Sequence, residues 1–463
     1  MTTISTTPAR HPNTEEITGH SGNGKPNSGS IVYDGLNLAL RQGTGIATYT
    51  RELTRVSRAL GYEIGVVYGT PFTPRKDPVL QDVIFFDRLG APARAGGTRG
   101  LRRSFADLLD RLRCQFTLRP QQVRLGEHVV TGQFADELPA LDRAFVARNL
   151  FESANAFYAW TGRQTILALD PQPDIFHCTY PMPVRAVSSC NVYTIHDLIP
   201  FRLPFATLDH KRHLYRMLKS VTGKADHIVT VSENSKRDIM NILGVEEGRI
   251  SNTYQAVALP PAFLERSDAA VSRCIEGLHE LDMRGYLLFF GALEPKKNVG
   301  RLLDAYMLSG VDIPLVLITG RGWQNAGELQ RLEAHEARPR AKGEPTIRRL
   351  DYVDRSTLVN FIRGARAVIF PSLYEGFGLP VLEAMMLGTP VISSTAGGLG
   401  EVIGDAALVV DPYDVDDIAR GIRTIVQDRD TREELVRRGK VQAARFSVSR
   451  YQERVQSLYA ALI

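Results

Sequence analysis

Two glutamates eight positions apart, Glu375 and Glu383, enclose the run Gly376-Phe377-Gly378-Leu379-Pro380. Ionised carboxylates accept strong hydrogen bonds from hydroxyls, so such a pair suits a ligand rich in OH groups. The glycines let the backbone approach a ligand closely and turn N–H groups toward it. Pro380 fits the first turn of a helix and Gly388 the position just past its end, and the start of that helix favours an anionic group. Lys296 and Lys297 stand before a second helical pattern, where they form either a phosphate clamp, by charge plus helix dipole, or a solvated turn. His196-Asp197 is open to two readings as well: a histidine that hydrogen-bonds a sugar or moves a proton, or a structural His–Asp pair. Gln42-Gly43-Thr44-Gly45-Ile46 is a glycine loop before a helix, again suited to phosphate. It is not G-x-G-x-x-G, and no acidic residue stands about twenty positions on at a second strand end, which disfavours a nicotinamide dinucleotide.

What places these residues is a regular alternation of elements. Short apolar runs at 31–36, 64–68, 175–178, 191–195 and 227–232, then at 286–291, 313–320, 365–370 and 391–393, predict strands, and helical periodicity fills most of the intervals. Strand–helix alternation implies an α/β protein with parallel sheets. Ligands of such sheets bind beyond the carboxyl ends of the strands, and His196, Lys296, Lys297 and Glu375 all follow a predicted strand. The strands fall into two sets separated by Leu259–Asp282, where Pro260-Pro261 reads as a linker. A terminal helix with Ser447 as N-cap carries Tyr451, Val455, Leu458, Tyr459 and Leu462 on one face. Residues 1–29 hold no Leu, Val, Phe, Tyr or Trp and read as a disordered tail.

Composition narrows the class. The 463 residues exceed what one core usually supports, so two domains are expected. A net charge of +5 is too small for a nucleic-acid coat. The four cysteines form no C-x-x-C pair, which argues against a zinc ribbon, a redox motif or a disulfide framework and fits a reducing compartment. No secretory h-region and no apolar run of about 20 residues is visible, so the expected location is cytoplasmic.

At this point the residues resemble a known family. The run from Glu375-Gly-Phe-Gly-Leu-Pro through Glu383-Ala to Gly388-Thr-Pro-Val-Ile looks like the E-x7-E signature of retaining GT-B glycosyltransferases of family 4. Gly291-Ala-Leu-Glu-Pro-Lys-Lys-Asn resembles that family's diphosphate-binding segment, and His196-Asp-Leu the motif bearing its active-site histidine. Ser232-Glu-Asn-Ser-Lys, the stretch from Val353 onward and Gly398-Leu-Gly-Glu-Val-Ile-Gly match further landmarks. The resemblance implies two facing Rossmann-like domains, 30–265 for the acceptor and 266–446 for the nucleotide sugar, with a cleft between them and the helix 447–463 crossing back onto the first. It implies that Glu375 and the backbone over Gly376, Phe377, Gly378 and Leu379 hold the donor sugar, that Glu383 holds the ribose, and that His196 sits by the sugar. Lys297 would neutralise the leaving diphosphate, and Gly43 and Gly45 would face the phosphates. Many members carry Arg where this chain has Ala292, which leaves Lys296 or Arg321 to supply the second cation.

The implied activity is transfer of a hexose, with retention, from a nucleotide-diphosphate sugar to a glycan or lipid-linked acceptor hydroxyl in polysaccharide biosynthesis. No cofactor or metal is implied, because cations and helix dipoles stabilise the leaving group. The Glu-Pro-Lys-Lys-Asn form looks most like mannosyltransferases and suggests GDP-mannose; UDP- and dTDP-sugars stay open. A GT-B epimerase or a non-catalytic sugar-nucleotide-binding protein is the competing class. One segment lies outside these motifs. Residues 91–124 hold eight arginines and two aspartates, and Leu101, Phe105, Leu108, Leu109, Leu112 and Phe116 share a helical face. The helix at 100–116 either lies on an anionic membrane, making the protein peripheral at the inner face of the plasma membrane, or packs on the first domain with its arginines at the edge.

Overall fold

The computed structural model describes residues 29–38, 45–70, 101–123, 141–320, 346–350 and 353–463, with a few helical positions within 84–86 and 330–334. Gly43, Arg321 and all of the expected tail except Gly29 lie outside the described residues.

Among the described residues two large sheets carry the chain, beside a small two-stranded one of Thr165–Leu167 and Val184–Ala186. The first has eight strands in the order Ile250–Asn252, His227–Thr230, Cys190–Thr194, Ile175–Cys178, Ser30–Asp34, Glu63–Tyr68, Arg143–Val146 and Gln121–Val123. All neighbours are parallel except the last pair. The second has six parallel strands in the order Ile347–Leu350, Leu315–Gly320, Leu287–Ala292, Ala367–Phe370, Val391–Ser393 and Leu408–Val409. Its central strands are continuous apolar runs because helices cover both faces of a parallel sheet; Leu287, Leu288, Phe289, Val368 and Ile369 are fully buried.

In the second sheet the chain starts at Leu287–Ala292, winds to one side through Leu315–Gly320, and then returns to the other side at Ala367–Phe370. That reversal leaves a crevice between the carboxyl ends of Leu287–Ala292 and Ala367–Phe370, the place where open α/β sheets bind ligands. In the first sheet Tyr33 is opposite Val66 on one side and His177 on the other, so Ser30–Asp34 is the equivalent point of reversal.

The stretch Leu259–Asp282, expected as a linker, contains two helices, Pro261–Leu264 and Asp268–His279. Pro261 occupies a helix start, where its missing N–H costs nothing, and Ser267 caps the longer helix. Val271 and Ile275, one turn apart, are fully buried, and Ile275 packs on the helix Arg355–Gly364.

The last helix, Val448–Ala460, lies against the helix Gly45–Ala59 and buries Tyr451, Val455, Leu458 and Tyr459. Tyr459 reaches the first sheet. Its hydroxyl meets Tyr33 Oη at 3.0 Å and His177 Nδ1 at 2.7 Å, while His177 Nε2 meets Thr194 Oγ1 at 2.8 Å. Burial, with His196 and His227 nearby, lowers His177 to about 3 from its usual 6.5. Below pH 6.5 the unfolded chain therefore binds a proton that the folded chain refuses, so stability falls as pH drops, by about 1.4 kcal/mol per unit. We expect His177 to account for about 2 kcal/mol of lost stability between pH 6.5 and pH 5. In urea unfolding, the loss between pH 7.5 and pH 5 should be smaller by that amount in His177→Gln, whatever its stability at pH 7.5. An equal loss would refute the assignment.

Candidate active site

The crevice of the second sheet is walled by two segments stapled together. After Leu287–Ala292 the chain makes a 3-10 turn, Pro295–Lys297, and enters the helix Val299–Ser309 through Asn298 in the left-handed region, at φ 60°. Asparagine tolerates that conformation. The Asn298 amide donates to Pro371 O at 2.9 Å and to Pro412 O at 2.6 Å, and Leu373 N donates to Lys296 O at 2.7 Å. These bonds tie the lysine turn to the loop that follows Ala367–Phe370. They bring Lys297 Nζ within 2.5 Å of Glu375 Oε1, and Lys296 Nζ within 3.7 Å of Glu375 Oε2.

Glu375 is only 7% exposed. Burial alone would raise its carboxyl, but Lys297 and Lys296 outweigh that and hold it below the usual carboxylate range. The two lysines differ in company. Burial pushes Lys296 down, yet Glu375, Asp197 and Glu294 surround it and hold it above the ordinary lysine value; Glu294 Oε2 is 3.6 Å away. The only carboxylate that Lys297 meets among the described residues is Glu375, and its ammonium lies 5.9 Å from the centre of the Phe370 ring. Lys297 is therefore the cation more easily turned to an incoming anion.

Glu383 sits in the helix Leu379–Met386, which starts after Gly378 at φ 123° and is followed by Gly388 at φ 75°. The carboxylate is gripped by Arg355, Nη1 to Oε2 at 3.0 Å and Nη2 to Oε1 at 2.9 Å. Each oxygen keeps a further lone pair for a hydroxyl. Arg355 begins the helix Arg355–Gly364, capped by Asp354. Nothing in the local sequence marks it as Glu383's partner.

The first sheet supplies the facing wall. His196 Nε2 lies 2.9 Å from Thr179 O; a carbonyl only accepts, so Nε2 carries the proton and Nδ1 is the acceptor. Burial lowers the His196 pKa despite that bond and nearby Asp197. The Asp197 carboxylate accepts from Ile199 N at 3.1 Å, while the His196 ring bonds Thr179 O and feels Asp197 only as a nearby charge. The Tyr49 ring stands edge-on to His196 at 4.8 Å. The two walls nearly touch: a Cβ on Gly376 would meet His196 O at 2.9 Å and Asp197 Oδ2 at 3.0 Å, and a Cβ on Gly45 would lie 3.7 Å from Leu379. Phe377 is buried, against Phe446 at 5.4 Å, so its backbone rather than its ring is what it can offer a ligand.

This chain matches the family described as glycosyltransferase family 4 over residues 116–258 and that of glycosyl transferases group 1 over 276–442. The chain belongs to the family 4 glycosyltransferases. Over 263 residues it is 38% identical to the O-antigen chain mannosyltransferase B of Escherichia coli, a match covering 55% of this chain and 66% of that relative. Sucrose-phosphate synthase of Thermosynechococcus elongatus superposes with a TM-score of 0.62 at 19% identity, over 94% of this chain and 99% of that one. Anabaena HepE in complex with UDP-glucose gives 0.61 at 15%, over 94% and 100%. At such identities the likeness establishes the fold, which is GT-B. Within this glycosyltransferase, His196, Gly45, Lys296, Lys297, Glu375, Gly376 and Leu379 line facing or adjoining walls of one crevice. Gly43 and Arg321 lie outside the described residues; of the two candidates for the second cation, Lys296 stands beside Glu375. Sequence reasoning missed Arg355 and the stapling role of Asn298.

Proposed function

We propose that this protein is a retaining, metal-independent mannosyltransferase that uses GDP-mannose and extends a bacterial polysaccharide on a glycan or lipid-linked acceptor in the cytoplasm. The observation that carries the reading is the buried Lys297–Glu375 pair at the reversal point of the second sheet, facing His196. Glu375 accepts from sugar hydroxyls as Lys297 turns to the diphosphate, and Glu383, steadied by Arg355, accepts from the ribose. As the bond from the sugar's anomeric carbon to the phosphate oxygen breaks, its electron pair leaves with the diphosphate, where Lys297, Lys296 and backbone N–H groups stabilise it. Positive charge grows on the sugar ring beside Glu375. The acceptor hydroxyl enters on the face the diphosphate leaves and gives its proton to the departing phosphate oxygen. His196, neutral and with Nδ1 free to accept, orients a sugar hydroxyl. Cations and fixed dipoles supply what a metal would otherwise supply. The relative's mannosyl activity and the Glu294-Pro-Lys-Lys-Asn segment favour mannose over a UDP- or dTDP-sugar. Melting with a panel of nucleoside diphosphates and sugar nucleotides tests this: GDP-mannose at 100 times its Kd should add about 2.7 kcal/mol, and mannose should transfer. Hydrolysis or transfer only from a UDP-sugar would reassign the donor; binding with neither would favour a non-catalytic protein.

The helix Leu101–Arg113 supports a membrane-facing role. No helix among the described residues is long and apolar enough to span a membrane. Asp110 is the buried side, held by Arg148 Nε at 3.1 Å and Asn149 Nδ2 at 2.9 Å, while Leu108 is 45%, Leu109 42% and Phe116 67% exposed. Exposed leucines beside Arg111 and Arg113 suit an anionic lipid surface, each arginine contributing about 1 kcal/mol, screened by salt. The protein should co-sediment with anionic and not neutral vesicles, and Leu108→Gln with Leu109→Gln should abolish this without loss of activity on a soluble acceptor. Unchanged sedimentation would leave the helix as a cover of its own domain.

A further inference from the structure

We infer that Glu401 and Tyr374 latch the two walls together and thereby set the position of Glu375; they are positioning residues for the transfer proposed above, on which this inference rests. The helix Glu233–Leu243 follows the strand His227–Thr230 of the first sheet and points its start across the crevice. A helix start leaves four N–H groups without acceptors and carries partial positive charge. Ser232 Oγ accepts from Ser235 N at 3.0 Å. The acceptors for Glu233 N, at 2.8 Å, and Asn234 N, at 2.7 Å, are the two oxygens of Glu401. Glu401 stands in the helix Leu399–Ile403, on the second sheet's side. The helix's own first-turn carboxylate, Glu233, is turned aside to Asn252 Nδ2 at 2.8 Å, which leaves the position to Glu401.

One turn further, Asp238 accepts from Arg202 Nε at 2.9 Å and from the Tyr374 hydroxyl, which in turn accepts from the Asn234 amide. Both struts end on the loop that carries the site. Tyr374 directly precedes Glu375, and Gly398 N, three residues before Glu401, donates to Glu375 O at 2.8 Å. The same helix fixes the opposite wall, because Ser235 Oγ donates to His196 O at 2.9 Å. One rigid element thus gauges the separation of His196 from Glu375. Contacts of this kind exist only while the two walls face each other, so their free energy is spent on geometry. Misplacement of a reacting group by about 1 Å costs on the order of 10²-fold in rate.

The test uses the full chain and the variants Glu401→Ala, Tyr374→Phe and their combination, with Glu375→Ala as the reference for the site. Glu401→Ala should lower kcat about 10–100-fold while changing the donor KM less than about threefold. Its hydrogen exchange should quicken at the Glu233 and Asn234 amides, with the rest of the helix still protected. Tyr374→Phe should show a smaller loss, and the double variant should lose less than the product of the two, because both act on one closure. A kcat within twofold of wild type in Glu401→Ala would overturn the latch. So would a loss of activity accompanied by lost protection along the whole helix, which marks a merely stabilising role. Should no sugar nucleotide be turned over, or Glu375→Ala stay active, the proposed function fails instead, and exchange at Glu233 and Asn234 still decides whether Glu401 holds the walls together.

Discussion

Glu375→Ala should lose about 10²–10³ in kcat while its affinity for the nucleoside diphosphate holds or tightens. The carboxylate lies beside the sugar, and contacts that strengthen as charge develops in the transition state are worth on the order of 2–4 kcal/mol each. In the resting protein the same carboxylate occupies Lys297 at 2.5 Å and shares Lys296 at 3.7 Å, so it competes with phosphate for those cations. Removing it frees Lys297 for the diphosphate. The fold should survive, because the residue is in a loop and Lys296 keeps Glu294 and Asp197. Because the lysines hold Glu375 below the usual carboxylate range, the wild-type rate should show no loss from its protonation between pH 8 and pH 5. Steady-state kinetics and titration of the purified variant provide the check. Near-normal turnover, or turnover and diphosphate affinity lost in parallel, would remove Glu375 from its assigned place.

Much of this was legible in the sequence, and the reason is local. The central strands of both sheets are buried on two faces, so Leu287–Ala292, Leu315–Gly320 and Ala367–Phe370 read as unbroken apolar runs within about two residues of their observed ends. The edge strands did not. Ile347–Leu350 carries two arginines, Gln121–Val123 two glutamines, and Leu408–Val409 is two residues long. Their pairing is decided by neighbours far away in the chain, which periodicity does not see. The helix Asp268–His279 was hidden by Pro260-Pro261, read as a break when Pro261 in fact opens a helix.

The site divides along the same line. Glu375, Gly378, Lys297 and His196 each follow a strand and carry their own local signal. Their partners do not. Arg355 lies 28 positions before Glu383, Glu401 lies 167 positions after Asn234, and no spacing rule links such pairs. Ion pairs and caps made across a fold become visible only once the fold is known, and it is these that fix where the legible residues stand.

Lys297→Ala should weaken nucleoside-diphosphate binding about 10–100-fold and lower kcat/KM by at least as much, since a charge-assisted hydrogen bond is worth about 1.5–3 kcal/mol. Lys296→Ala should cost less. Lys296 is ringed by Glu375, Asp197 and Glu294, so part of its charge is already answered by protein, whereas Lys297 meets Glu375 and an aromatic ring. When Glu375 turns to the sugar, Lys297 is the ammonium released. The expected contrast extends to salt: diphosphate affinity of the wild type should fall more steeply with ionic strength than that of Lys297→Ala, because one screened charge pair is gone. Lys297→Arg should restore charge without full activity, since a planar fork does not fill the place of a compact ammonium at 2.5 Å from a carboxylate. Titration calorimetry of the three variants with the nucleoside diphosphate separates the cases. Were Lys296→Ala the more damaging, the leaving group would lie one residue nearer the strand, and Lys297 would serve only to hold Glu375.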